Sequence, residues 1–254
     1  MEELPTPAFE WEQLPEQWQT KLLSKNFRIK NCLGDGNCQF RAIETAVKSE
    51  SELKCKLTHD KLRKLIGGYL ETLQNEEFWD IVKSYKLEKK HGEFIGLWDP
   101  HRIQYKRQFI SIVKKPGNVF QGDHFTLSVL SKLLDIDFIL FTSNLIQDLS
   151  NPDDLHSRIV ILYYDGDQGH YQTIGLKSET EDVQTLFKRS ELQDEIYMLI
   201  DRQTFLDNHT ENVCKNDDLK LNDIIFSLEQ NIQQKLSKSD KKKIMHLINN
   251  KLFK

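Results

Sequence analysis

The chain has 254 residues, 38% hydrophobic and 29% charged, with a formal net charge of −4. That length fills one core, or a core with a small appendage, and the composition excludes a disordered or fibrous chain. So mild a charge leaves no sign of a nucleic-acid partner, and the most apolar runs, 138–141 and 159–164, are far too short to span a bilayer.

The start, MEELPTPAFEWEQLPEQW, is acidic and lacks the basic-then-apolar order of a secretory signal. Cysteines stand at 32, 38, 55 and 214, without a CxxC pair or zinc-ligand spacing, so no metal or other cofactor is expected. Free thiols without a signal imply a reducing compartment, the cytoplasm or nucleus, where a cysteine matters through its reactivity. Trp11, Trp18, Leu22, Leu23 and Phe27 are spaced to pack residues 1–26 onto a body that begins near 27. After Cys38, the residues Ala42, Ile43, Ala46 and Val47 share one face of an expected helix. A second helix is expected over 58–74, where Leu62, Leu65, Ile66, Tyr69, Leu70 and Leu73 recur at helical spacing. Residues 75–117 mix aromatics with lysines and close on the turn signal Pro116-Gly117.

A further helix is expected over 123–134, followed by strands at 137–141 and 158–164. The loop DGDQGH then separates the second strand from YQTIGL, which reads as a hairpin with His170 where the loop becomes strand. A helix is expected within 190–206, and a polar linker follows. Two amphipathic stripes, Leu221 to Ile232 and Ile244 to Leu252, then make 207–254 a helical hairpin outside the core. Its end is basic, with seven lysines against one aspartate over 235–254. That pattern fits either a solvated face or contact with an acidic partner. Cys55 and Cys214 lie in charged surroundings and read as incidental, whereas Cys32 reads as a buried thiol in a strand or loop.

The chemistry concentrates at GDGNCQFRAIE, residues 34–44. A helix N-terminus favours thiolate, and a glycine-bearing bend lets backbone N–H groups converge on the oxygen that turns negative when a carbonyl is attacked. Asp35-Gly36-Asn37-Cys38 meets those needs, although such a tetrapeptide also fits a turn before a buried cysteine. A thiol nucleophile needs a base, and among eight histidines His170, on a strand end beside Tyr171, has the most rigid mount.

At this pair the sequence resembles the ovarian tumour (OTU) family of cysteine proteases, which are deubiquitinases. Asp35-Gly36-Asn37-Cys38-Gln39-Phe40-Arg41-Ala42-Ile43, the later His170-Tyr171, and between them Val119-Phe120-Gln121-Gly122-Asp123 with Leu130-Ser131 match its three blocks in order, over 27–176. The resemblance implies an α+β, papain-like core with a small sheet flanked by helices, a catalytic domain over 27–206, and a C-terminal extension over 207–254. It implies hydrolysis of isopeptide or peptide bonds at the C-terminus of ubiquitin, polyubiquitin or a ubiquitin-like protein through a thioester. Cys38 is then the nucleophile, His170 the base, and Asp35, Gly36 and Asn37 the oxyanion loop. Where the family often has Asp or Asn two residues after the histidine, this chain has Gln172; Gln172, Asp165 and Asp167 stay open as the group orienting the ring. Phe120 replaces the usual Trp. Phe94, Ile95, Leu97 and Trp98 form an apolar cluster that is either a ubiquitin-facing patch or core. The competing reading is an OTU fold that holds ubiquitin without cutting it, or acts as an adaptor through its C-terminal helices.

Overall fold

A computed structural model describes residues 9–22, 25–48, 57–94, 96–192, 194 and 196–200. The expected C-terminal hairpin, Cys55, Cys214 and Ile95 lie outside the described residues. The chain divides into a unit over 1–192 and a second over 193–254; within the second, 196–200 is helical.

The first unit is built on a mixed sheet, in keeping with the α+β class. Its strands are β1 (Trp11–Gln13), β2 (Phe27–Lys30), β3 (Asp137–Phe141), β4 (Ile146–Asp148), β5 (Arg158–Asp165), β6 (His170–Lys177), β7 (Val183–Gln184) and β8 (Leu186–Lys188). The main order is β1-β2-β6-β5-β3-β4, with β7 beside β6 and β8 beside β5. Among the described residues only β3 and β5 pair in parallel, and the other neighbours are antiparallel. All five residues of β3 are buried, as are Ile159 to Tyr163 of β5, which is why these two segments read as unbroken apolar runs.

The helices are α1 (Glu16–Lys21), α2 (Cys38–Val47), α3 (His59–Thr72), α4 (Asn75–His91), α5 (Lys106–Lys114) and α6 (His124–Leu134). Their ends follow side-chain chemistry. Thr58 caps α3 by accepting from Lys61 N, and Asp123 and Thr126 exchange hydrogen bonds to open α6. Gly92, at φ 80°, closes α4. The stretch with mixed aromatics and lysines is thus mostly helical: α4 buries Phe78, Val82 and Tyr85 and leaves its lysines outward.

Helix α2 lies on β6. Thr173 Oγ1 donates to Ala42 O at 2.8 Å, and Thr185 Oγ1 donates to Ala46 O at 2.6 Å. The two alanines permit this close approach, while Phe40, Ile43 and Val47 fill the core around them. Described residues before the helix α2 belong to the same body: β1 and β2 extend the sheet, and Trp18, 1% exposed, packs at a tilt against Phe141 with ring centroids 4.7 Å apart and donates Nε1–H to Thr142 O at 2.7 Å. Among the described residues, no helix is long and apolar enough to cross a membrane.

Candidate active site

Cys38 is the first residue of α2 and is buried at 6% exposure. Three backbone N–H groups, those of Tyr171, Gln39 and Cys38 itself, stabilise its thiolate, but burial outweighs them and raises its pKa above the ordinary thiol value. The preceding bend depends on Gly36, at φ 80°, where a Cβ would fall 2.2 Å from the Cα of Asn118. The bend is pinned by Asp35, whose Oδ1 accepts from Asn37 N at 3.0 Å and whose Oδ2 accepts from Arg41 Nη2 at 2.7 Å. Against desolvation, which alone would raise it, the Arg41 and Asn37 hydrogen bonds hold the Asp35 carboxyl down at about 2. Asn37 precedes the helix without capping it; its carbonyl accepts from Arg41 N at 2.8 Å, while its side chain turns into the core.

The block around 120–126 is fastened to α2 by Gln39, which is fully buried. Gln39 Nε2 donates to Asp123 O at 3.0 Å, and Thr126 Oγ1 donates to Gln39 Oε1 at 2.5 Å. Gly122 is required here, since a Cβ on it would meet Gln39 Oε1 at 2.0 Å. Phe120, 1% exposed, fills the core as an aromatic.

His170 opens β6 after Gly169, at φ 62°, and pairs across the hairpin with Asp165. Its Nε2 lies 2.7 Å from Asn31 Oδ1. That oxygen also accepts from Cys32 N at 2.7 Å, which fixes the amide orientation, because a backbone N–H can donate only to the oxygen. Nε2 therefore carries the proton and Nδ1 is left basic. Burial lowers the imidazolium pKa, opposed by the Asp165 charge and the Cys32 backbone. Cys32 Sγ stands 3.9 Å from Nε2, and among the described residues no hydrogen bond joins Cys38 Sγ to His170.

The groups considered for the histidine's partner are thereby separated. Asp165 Oδ1 is occupied by Asp167 N at 3.0 Å and Gln168 N at 3.3 Å. Gln172 and Asp167 make no hydrogen bond to His170 among the described residues. Asn31 does, and the sequence reasoning missed it. The β2–β6 register explains how it gets there: the last pair is Lys30 with Thr173, so the residue after β2 is delivered toward the His170 end of β6. The carboxamide comes from the residue that follows the neighbouring strand.

Of the apolar cluster before Asp99-Pro100, Trp98 is buried at 8% exposure against Tyr85, Phe94, Phe109 and Phe120. Its place in the core displaces the exposed-patch reading for that residue. Phe94 is partly buried and lines, with Trp98, a pocket of about 570 Å³. Leu97 is 65% exposed. No group of three potential metal ligands occurs among the described residues.

The family model for OTU-like cysteine proteases matches residues 33–171, more than half the chain. The chain belongs to the OTU-like cysteine protease family. The 232R protein of Invertebrate iridescent virus 3, provisionally named a ubiquitin thioesterase, is 29% identical over 180 residues, covering 68% of this chain and 18% of the viral protein. An ovarian tumour domain-containing deubiquitinating enzyme of Arabidopsis thaliana is 30% identical over 112 residues, covering 41% of this chain and 21% of the plant protein. The chain thus spans about a fifth of the length of these curated relatives. Among solved structures, an OTU domain in complex with ubiquitin aligns at a TM-score of 0.46 and 13% identity, over 68% of this chain and 82% of that one. An OTU deubiquitinase from Wolbachia pipientis wMel bound to ubiquitin aligns at 0.40 and 13%, over 66% and 99%.

Proposed function

We propose that the chain is a thiol-dependent deubiquitinase that hydrolyses the bond at the C-terminus of ubiquitin, polyubiquitin or a ubiquitin-like protein. The observation that carries the reading is Cys38 at the amide-lined N-terminus of α2 together with a His170 whose Nε2–H is held by Asn31, the two bridged by Cys32 Sγ, which lies 3.4 Å from Cys38 O and 3.9 Å from His170 Nε2. The ubiquitin thioesterase and deubiquitinase names of its relatives support the substrate class. Cys38 is the nucleophile, His170 the base, and Asn31 the group that orients the ring. Asp35, Gly36 and Asn37 shape the oxyanion turn.

The chemistry runs in two steps. Nδ1 of His170 takes the thiol proton, and Cys38 Sγ attacks the terminal carbonyl of the modifier. The oxygen that becomes negative is received by backbone N–H groups at the turn, and the imidazolium gives its proton to the departing amine. A thioester remains. His170 then deprotonates a water, which attacks the same carbonyl and releases the carboxylate and the thiol. The Cys38–His170 hydrogen bond closes when substrate enters, as such bonds tighten in the Michaelis complex. Catalysis resides in 27–206, with 1–26 packed on it and 207–254 as an extension. A thiol nucleophile suits a reducing compartment such as the cytoplasm or nucleus.

A ubiquitin probe ending in an electrophile tests this directly. The wild type is expected to form one covalent adduct and Cys38→Ala none. Lack of reaction of the wild type with probes for ubiquitin and its relatives would sink the reading.

A further inference from the structure

Arg63 is a fully buried guanidinium in the middle of α3. A charge in that position is costly unless its donors are satisfied. Here they are satisfied by oxygens, with no carboxylate in contact among the described residues. Nε donates to Asn37 Oδ1 at 2.8 Å, and Nη1 donates to Val113 O at 3.1 Å. Nη2 is shared among Gly36 O at 3.0 Å, Gly117 O at 3.1 Å and Phe120 O at 2.8 Å. Its Cζ stands 4.4 Å from the centroid of the Phe40 ring, in the first turn of α2.

These acceptors are not scattered. Gly36 and Asn37 are the two residues before Cys38, and Gly117 and Phe120 bracket the segment against which the bend packs. Asn37 Oδ1 also accepts from Gly117 N at 3.1 Å, so one side-chain oxygen ties the two segments at the point where Arg63 reaches it. A planar fork with five donors can hold all of them in one geometry, which an ammonium cannot. Because a peptide's C=O and N–H point in opposite directions, fixing the Gly36 carbonyl fixes the Gly36–Asn37 peptide unit, whose N–H donates to Asp35 Oδ1, one unit before the one that carries the Cys38 N–H.

We propose that Arg63 is a positioning residue: its guanidinium locks the Gly36-Asn37 turn against residues 117–120 so that the backbone N–H groups around Cys38 receive the oxyanion. This rests on Cys38 being the nucleophile. Arg63 touches neither the thiol nor the substrate; it acts through the turn. Its charge also faces the thiolate of Cys38 and the carboxylates of Asp35 and Asp60, which offset part of the desolvation that lowers its pKa to about 10.

The test separates the oxyanion site from the thiol. Arg63→Lys keeps a positive charge and loses the fork. Two rates are read on the full chain: alkylation of Cys38 by iodoacetamide, which needs thiolate and no oxyanion site, and protection of Cys38 by a short peptide aldehyde. The aldehyde forms a hemithioacetal: Sγ bonds to the carbonyl carbon, the thiol proton passes to its oxygen, and that oxygen seats at the turn. Displacing donors by even about 1 Å can cost about 100-fold. Arg63→Lys is therefore expected to weaken aldehyde protection by at least about tenfold while the alkylation rate stays near wild type; the thermal midpoint falls because buried carbonyls lose their donor, so both readouts are taken well below it, and their split is one that lost folding alone does not give. If Arg63→Lys does not fold, Asn37→Ala removes the shared acceptor and is expected to show the same selective loss. Equal protection in variant and wild type, parallel loss of alkylation and protection, or no protection in the wild type overturns the proposal. None of these readouts needs ubiquitin, so a failure of the ubiquitin probes leaves this result interpretable by itself.

Discussion

Replacing Asn31 by alanine removes the acceptor 2.7 Å from His170 Nε2 and leaves the Cys32 N–H without its partner. The Asn31 bond matters most when the ring is charged, after it has taken the Cys38 proton. A hydrogen bond to a charged group contributes about 1.5–3 kcal/mol, and about 1.36 kcal/mol is tenfold in rate, so the range is about 10- to 150-fold. His170 is only partly buried, and solvent screens part of this, which places the expected loss in kcat at about 10- to 30-fold. Gln172→Ala, by contrast, removes a side chain with no bond to His170 and should change kcat by less than about threefold, in line with ordinary surface substitutions. Asn31→Asp places a carboxylate where the amide was. It favours imidazolium, raises the His170 pKa and moves the acid limb of the pH–rate profile upward, because the ring must be neutral to take the thiol proton. The assay is turnover of a fluorogenic ubiquitin substrate across pH. If Asn31→Ala stays within about threefold of wild type while Gln172→Ala falls by more than tenfold, the strand-crossing assignment is wrong and the in-strand residue orients the ring.

Three further outcomes follow from the same geometry. Asp35 should titrate near 2 by carbon NMR, and Arg41→Ala should move it up toward the ordinary 3.8. Because its folded pKa is depressed, its contribution to stability is present above about 3.8 and is lost as pH falls through about 2; an unchanged titration in Arg41→Ala would contradict the pairing. Gly36→Ala puts a Cβ 2.2 Å from the Asn118 backbone at a positive φ. It should destabilise by about 1–3 kcal/mol in chemical denaturation and cost about 100-fold in turnover, and retention of wild-type activity would show that the turn can relax. Trp18→Ala leaves a cavity against Phe141 and an unpaired Thr142 carbonyl. A cost of about 3–5 kcal/mol corresponds to a fall of about 6–20 °C in thermal midpoint, whereas a fall of under about 3 °C would mean that residues before β2 are dispensable to the body.

The parts of this fold legible in sequence are those whose burial or chemistry is local. Helix α2 announces itself through Ala42, Ile43, Ala46 and Val47, and β3 and β5 through uninterrupted apolar runs, because one face or both faces must be buried. Cys38 is legible because bend, glycine and helix start are contiguous. Helix α4 is hidden by its lysines, which dilute a narrow buried stripe of Phe78, Val82 and Tyr85. Asn31 is hidden for a different reason. Its relation to His170 is set by the pairing of β2 with β6, a register fixed by which faces of Phe27 and Ile29 are buried, and nothing within a few residues of either partner encodes it. The signal available was the alternation in FRIK, which marks a strand ending one residue before an asparagine.

Cys32, expected from sequence to be buried, is only half-buried, whereas Cys38 is buried, and the hydrogen-bond polarity of the two thiols explains why only Cys38 is suited to attack. Cys32 Sγ is faced by carbonyls, Cys38 O at 3.4 Å and Tyr171 O at 3.3 Å, so it is held as a donor, S–H. Burial, with the charge of Cys38 adding to it, pushes its pKa up to about 12. Cys38 Sγ is faced by N–H groups, which favour S⁻. Although Cys32 Sγ is 3.9 Å from His170 Nε2, that nitrogen already donates to Asn31 and cannot take a second proton. The basic Nδ1 is left for the other thiol. Alkylation at neutral pH, resolved peptide by peptide in a mass spectrometer, should therefore modify Cys38 at least about tenfold faster than Cys32, since reactivity follows the thiolate fraction. Cys32→Val should keep most of the activity, because valine fills the thiol's space without needing an acceptor. Preferential labelling of Cys32, or loss of turnover in Cys32→Val with the fold intact, would mean that the thiol nearer the imidazole takes part in the chemistry.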